Sequence, residues 1–468
     1  MTNHNLPKSY LFTEEDLSLF EYNQIFSCGS IWLEEGMDKQ IATFDLYIRD
    51  IPECRNFFVF TGLEEIFEGI RKWKYTDEQI KFLRDNDIIT EKFGEYLRNF
   101  KFSGDIWAMP EGSIFFPGET VVRITAPIIE ANLITMFLTN VLSSNTLFAS
   151  KVIRSVIAAA PHGILGIGGM RAHSFESSMK CNRSSYIVGS TAIASLPATY
   201  KKYSIPMPHP VRIAYHAFIK SFPDEITAMR AIPKYFPNEM MVMIDTYDTD
   251  QGLENAITVA KELKAEGGGL KGIFIDSGDM YEISIKARRR LDEEGLHNVK
   301  IMAASNLDEY KILELERKNA PIDMYCVITE GVTVADAPKL EVVYKMAQLQ
   351  DGDEVVQTAK FAPGKLSYPG VKQVYRQKGG DIIGLASEKI DGKPLLVEML
   401  RGGDVVYDLP TLDEIRAFMQ TELKSIPQNL LEIDHHHDYS VEVSQGLKDL
   451  LEEVRKKHLK QLGLAEGW

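Results

Sequence analysis

Cysteine is scarce in this sequence. Only Cys28, Cys54, Cys181 and Cys326 occur among 468 residues, far apart and never as a CxxC pair. That excludes a zinc knuckle or a disulfide framework, and it reads as a set of reduced thiols in a cytoplasmic protein. Basic charge is in short supply as well. Lys and Arg number 52 against 67 Asp and Glu, a formal net charge of -15. A broad electrostatic surface for nucleic acid or anionic lipid is therefore excluded, although a local basic pocket for phosphate is not. No uninterrupted apolar run is long enough to span a bilayer, so no membrane partner is expected. Residues Met1–Lys8 lack the apolar stretch of a signal peptide, so no leader is expected. No Ser/Gly- or Pro-rich linker and no low-complexity tract divides the chain.

What is present fits a globular protein. Hydrophobic residues make up 44% and charged ones 25%, enough to bury a large core. At roughly 100–200 residues per domain, the length suggests two to four domains. Ala42–Ile48 alternates like a strand, and Leu63–Trp73 has helical spacing. Gly104–Gly118 reads as short strands with turns. Long helices are expected over Pro127–Val141 and Asn145–Ala159. Near the end, Leu447, Leu450, Leu451, Val454 and His458 define a helix that Ser444 can cap.

From about residue 240 a unit repeats. Apolar runs end in polar clusters four times, at Asp245-Thr246-Tyr247-Asp248, Asp276-Ser277-Gly278-Asp279, Ser305-Asn306-Leu307-Asp308 and Thr329-Glu330. Steps of 31 and 29 positions separate Asp245, Asp276 and Ser305, with helix-like stretches between, which is one βα unit per step. Continuous apolar runs suit parallel strands covered by helices. A barrel of such units carries its chemistry at the strand C-terminal ends, where the polar clusters fall.

Asp245, Asp276 and Asp279 would converge there, able to bind ribose hydroxyls, orient Mg2+ or act as bases. The plain alternative for each is helix N-capping. His216 can serve as nucleophile or general acid, or be a satisfied half-buried residue. Arg171, after the glycine group Gly163–Gly169, can hold phosphate bidentately or form a surface ion pair. That glycine spacing is neither a Walker A nor a dinucleotide fingerprint. The run His435-His436-His437, flanked by Asp434 and Asp438, reads as a solvated loop.

Together these motifs make the chain resemble the nicotinate phosphoribosyltransferase family from about Leu17 to Leu451. Phe102–Gly112 resembles the family's FTGDVWAMPEG-type segment. Asp245–Thr249 matches DTYDT, Asp276–Asp279 matches DSGDL, and Ser305–Glu309 resembles SNDLDE. Pro363-Gly364-Lys365 with Tyr368–Arg376 resembles PGK…YPGxKQVYR. The resemblance implies an irregular α/β barrel of the type II phosphoribosyltransferases beside a mixed α/β domain built from both chain ends. The expected division is 1–125 for the N-terminal domain and 126–355 for the barrel. A segment 356–440 returns to the first domain, and 441–468 is a C-terminal helix. The implied reaction joins nicotinate to phosphoribosyl pyrophosphate for NAD salvage, with Mg2+ as cofactor and ATP as co-substrate acting through a phosphorylated His216. Asp276 is the other implied catalytic residue. Tyr22, Arg171, Ser195, Asp245, Phe274, Ser277, Asn306 and Thr329 are the implied substrate contacts. Asp276 and Asp279 are the implied Mg2+ ligands. A homodimer is implied, with Phe20, Tyr22 and Phe26 at the contact.

The sequence also departs from the family pattern. Phe274 stands where the family has an arginine expected to anchor the nicotinate carboxylate. Cys326-Val327-Ile328-Thr329 replaces the GVGT loop, and Ala194-Ser195-Leu196 replaces part of GTSN. Extra residues enter at Met207–Arg212. Two further readings are therefore a transferase for an uncharged base and a catalytically weakened nucleotide-binding paralogue.

Overall fold

A computed structural model describes residues 12–165, 168–193, 197–205, 212–237 and 239–463. The chain forms two compact units. One comprises residues 1–146, 339–410 and 438–468; the other comprises 147–338 and 411–437.

The second unit is built on a six-stranded parallel sheet. Its spatial order is Gly163–Leu165, Met324–Cys326, Lys300–Ala303, Gly272–Ile275, Met240–Met243, Arg212–Ala214. The four repeats are four successive neighbours in this order, each followed by a helix: Thr249–Ala265, Met280–Glu293, Glu309–Arg317 and Thr329–Thr333. Side chains alternate between the faces along each strand. Val242, Ile273, Ile275, Ile301, Ala303 and Tyr325 pack with the helices. Met241, Phe274, Met302, Ala304 and Cys326 form a separate cluster on the other face. Gly252 shows how closely a helix meets its strand, since a Cβ there would lie 1.9 Å from the Ile244 carbonyl oxygen.

The first unit has a seven-stranded antiparallel sheet in which Ile41–Ile48 pairs with Val342–Asp351 and with the central strand, Val122–Pro127. A four-stranded sheet contains Lys372–Gln377 and Gly380–Leu385. The helix Gln445–Leu462 belongs to this unit, and the Ser444 hydroxyl caps it by accepting from the Leu447 N–H at 3.1 Å.

Two expectations need correction. The expected helices 127–141 and 145–159 are instead Ile128–Leu133 and Thr135–Ala158. The polar stretch there is helical and not a turn, and the Ser144 hydroxyl finds its partner within the helix, on the Asn140 carbonyl at 2.8 Å. The domain limits also move. Residues 126–146 and 339–355 fall in the first unit, and 411–437 fall in the second. One boundary lies inside the Thr135–Ala158 helix, where no turn or linker marks it.

A buried acidic pair in the first unit gives a pH-dependent stability. Arg376 Nη2 donates to Asp381 Oδ2 at 2.8 Å, and the Tyr439 hydroxyl donates to Oδ1 at 2.9 Å. Glu119 Oε2 accepts the Phe116 N–H at 2.9 Å, while Oε1 has no donor. A proton on Oε1 would satisfy it by bonding to Asp381. Burial, and then the Asp381 charge, hold the Glu119 carboxyl well above the usual range. A raised folded pKa adds stability that is full below the unfolded pKa and is lost as pH rises through the folded one. Glu119→Gln mimics the protonated form. It should match the parent in acid and exceed it by about 1.4 kcal/mol for each pH unit above roughly 4.5, until Glu119 ionises. Urea unfolding from pH 5 to 8 reads this, and a pH-independent difference would refute it.

Candidate active site

The polar clusters share a rule of spacing. In the first three clusters the later acid caps the next helix. Asp248 accepts from the Gln251 N–H, Asp279 from Tyr281 and Glu282, and Asp308 from Tyr310 and Lys311, all at 2.8–3.1 Å. The residue three positions earlier, Asp245, Asp276 or Ser305, makes no such cap and stands at the strand end. Capping thus accounts for one member of each pair and leaves the other for chemistry.

His216 begins the helix His216–Lys220 directly after the Arg212–Ala214 strand. Its Nδ1 lies 2.9 Å from the Thr246 hydroxyl, and its Nε2 lies 4.0 Å from Asp276 Oδ2. The hydroxyl can donate or accept, so it fixes the ring in either tautomer. Asp245 Oδ2 accepts from the Ser277 hydroxyl at 2.6 Å, whereas Asp245 Oδ1 is buried without a partner. Burial, then the Asp245 charge, raise the Asp276 pKa. The charges of His216 and Arg171 and the Ser305 N–H oppose that rise. The rim therefore gathers two carboxylates, an imidazole and a guanidinium within electrostatic reach of one another.

An orphaned carboxylate oxygen beside a second, half-buried carboxylate suits a hard divalent cation completed by substrate phosphates and water. Among the described residues no group of three His, Cys, Asp or Glu could hold a metal unaided. Asp245 and Asp276 are the pair that fits. Asp279 has its Oδ1 committed to two helix N–H groups, which leaves only Oδ2 for any cation.

Models of the nicotinate phosphoribosyltransferase (NAPRTase) N-terminal and C-terminal domains match residues 25–143 and 372–451. A nicotinate phosphoribosyltransferase of Mycobacterium tuberculosis is 33% identical over 421 residues, covering 88% of this chain and 89% of the relative. The chain belongs to the nicotinate phosphoribosyltransferase family. A relative from Bacillus subtilis is 31% identical over 470 residues, covering 93% of this chain and 94% of its own. The fold agrees with the crystal structure of human nicotinic acid phosphoribosyltransferase. There the TM-score is 0.79 at 21% identity, over 92% of this chain and 99% of that one. It also agrees with nicotinate-nucleotide pyrophosphorylase from Pyrococcus furiosus, with a TM-score of 0.70 at 20% identity over 90% and 99% of the two chains.

Within this family member, His216, Asp245, Asp276, Ser277 and Arg171 lie near one another at the rim. Asn306 and Thr329 follow the next two strands on the same rim. Phe274 points to the same face as Asp276, two residues deeper, and is buried among methionines. Ser195 lies outside the described residues. Tyr22 is exposed in the first unit, as is Phe20, but Phe26 is 1% exposed and belongs to the core, so it cannot serve a dimer contact. Ile328 fills the space over Gly168, where a Cβ on the glycine would meet Ile328 Cγ2 at 2.3 Å. The backbone at Ile328 has φ -80°, so its conformation does not demand a glycine. Sequence reasoning missed Thr246 and Ser305 as partners of the reacting groups. The i, i+3 spacing of the strand-end polar residues was the available signal.

The cap reading of Asp279 has a direct test. Asp279→Ala should lower stability by about 1 kcal/mol in urea unfolding and leave the Mg2+ dependence of turnover unchanged. A shifted Mg2+ requirement would restore Asp279 as a ligand.

Proposed function

We propose that this protein transfers the phosphoribosyl group of phosphoribosyl pyrophosphate to nicotinate, releasing pyrophosphate, in NAD salvage. The observation that carries this reading is the meeting of His216, Asp245 and Asp276 at the strand ends of a chain that belongs to this family. As pyrophosphate leaves, the sugar C1 becomes cation-like, so catalysis rests on positioning and charge stabilisation. Asp276 and Asp245 present negative charge to the sugar, and Arg171 presents positive charge to phosphate. Mg2+ held by Asp245 and Asp276 would neutralise the departing pyrophosphate. His216 takes the γ-phosphoryl of ATP on a ring nitrogen with release of ADP, and water later breaks that bond. Thr246 holds the ring in place for both steps. Cys28, Cys181 and Cys326 are free thiols, in keeping with a cytoplasmic enzyme.

The test is mass spectrometry of products after incubation with phosphoribosyl pyrophosphate, Mg2+, ATP and a panel of pyridine and other bases. Nicotinate mononucleotide is expected, and the absence of any mononucleotide would refute the reading. Phe274 and its methionine surroundings favour a second reading, an uncharged base, which the same panel detects. We also propose a homodimer. The exposed Phe12 and Phe20, in edge contact at 5.9 Å, with Tyr22 beside them in sequence, offer its aromatic surface. A monomeric mass by light scattering at micromolar concentration would overturn it.

A further inference from the structure

Lys151 carries a charge in the buried part of the Thr135–Ala158 helix. Phe148, Ala149, Val152 and Ile153 beside it are core residues, and Lys151 itself is 1% exposed. Its ammonium donates to Glu309 Oε2 at 2.7 Å and lies 3.0 Å from Asp336 Oδ2. These two carboxylates belong to different loops of the active rim. Glu309 is the first residue of Glu309–Arg317, directly after the Ser305–Asp308 turn. Asp336 lies three residues beyond Thr329–Thr333. The strands that lead into the two loops, Lys300–Ala303 and Met324–Cys326, are neighbours in the sheet. One buried cation therefore ties the helix start that follows Asn306 to the segment that follows the Thr329–Thr333 helix.

The Asn306 loop is held in an unfavourable backbone state. Ser305 and Asn306 are consecutive non-glycine residues at φ +73° and +51°. Such residues persist only when their surroundings over-determine them, and they gather at functional sites. Here the surroundings are identifiable. Arg154 Nε donates to Glu309 Oε1 at 2.9 Å, and its Nη2 is anchored on the Ile433 carbonyl at 2.9 Å. Lys311 Nζ donates to the Asn306 carbonyl at 2.6 Å. In this conformation the Ser305 N–H reaches Asp276. Apolar side chains of like volume would stabilise the interior at least as well as a buried ion pair, but they would not fix a direction.

We propose that Lys151 is a positioning residue. By bridging Glu309 and Asp336 it sets the spacing of the Asn306 turn and the Thr329–Thr333 helix, the two segments that receive the phosphoribosyl substrate. This rests on the transferase reading, and the test separates the two. Three variants are compared with the parent: Asp336→Asn, Lys151→Met and Lys151→Arg. Asp336 is partly exposed, and its variant keeps the Lys151–Glu309 pair, so it weakens one arm only. Supporting partners of this kind are commonly worth 10–100-fold in analogous outer-shell positions. The expected result is a rise of about tenfold in KM for phosphoribosyl pyrophosphate in Asp336→Asn and more in Lys151→Met. The KM for the base should stay within about twofold, and Lys151→Arg should restore part of the loss. Amide hydrogen exchange, read by mass spectrometry without substrate, should quicken at residues 305–307 and stay unchanged in the Met240–Met243 strand.

Equal changes in both KM values, or a lowered kcat with both KM values kept, would overturn the proposal. Unaltered exchange at 305–307 in a folded variant would overturn it as well. If Lys151→Met does not fold, Asp336→Asn decides. If the parent makes no mononucleotide, the transferase reading fails, and the exchange measurement alone decides whether the brace holds the turn.

Discussion

Replacing His216 by alanine should abolish acid-labile labelling of the protein by γ-labelled ATP. Turnover in the presence of ATP should fall by about 10²-fold or more, the scale of a positioned catalytic side chain. The geometry gives the reason. The ring is half-exposed at the rim, so a phosphoryl group can reach it. Thr246 fixes one nitrogen at 2.9 Å, and Asp276 faces the other at 4.0 Å. When a phosphorylated imidazole gains a proton its ring becomes cationic while the phosphoryl group stays anionic, and Asp276 is placed to offset the ring charge. Thr246→Val keeps the imidazole and removes only its orienting partner. It should label more slowly than the parent yet remain labelled. Label that persists in His216→Ala would exclude His216 as the carrier and would move the search to another nucleophile on the rim.

The parts of this site that were legible in the sequence are the local ones. The period of about thirty residues from Asp245 to Asp276 to Ser305 follows from the βα unit, and the structure places those residues at neighbouring strand ends. The Ser444 cap and the strand at Ile41–Ile48 are equally local. The missed parts depend on distance along the chain. Glu309 is separated by 158 positions from Lys151, and no local pattern joins them. The domain boundary at 146 lies within a continuous helix, where neither a turn residue nor a change of composition signals it. Asp279 shows a different limit. An acid at a strand end satisfies both the ligand pattern and the cap pattern, and only the hydrogen bonds from Tyr281 and Glu282 separate them.

Phe274→Arg should tighten nicotinate binding by a large factor. Phe274 lies on the Gly272–Ile275 strand and faces the same side as Asp276, about 7 Å deeper at 3.3 Å per residue. Around it stand Met241, Met302, Ala304 and Cys326, with Ile213, Met243, Met324 and Ile328 partly buried against them. That cluster offers no charge to a carboxylate, which needs a cation or several donors when it leaves water. Arg212 does not supply one. It alternates with Ile213 along its strand and stacks over the Phe236 ring at 4.4 Å, on the face away from the cluster. A missing charge-assisted pair costs about 2–5 kcal/mol, a factor of roughly 30 to several thousand in affinity. An arginine at 274 would carry that charge on the same face as Asp276, which gives the guanidinium a partner when no base is bound. Calorimetry should therefore show weak nicotinate binding to the parent, a gain of about 30-fold or more in Phe274→Arg, and no comparable gain for nicotinamide, which lacks the carboxylate. Micromolar or tighter binding of nicotinate by the parent, unaltered in Arg212→Ala, would show that other donors hold the carboxylate and that the methionine face is not the base wall.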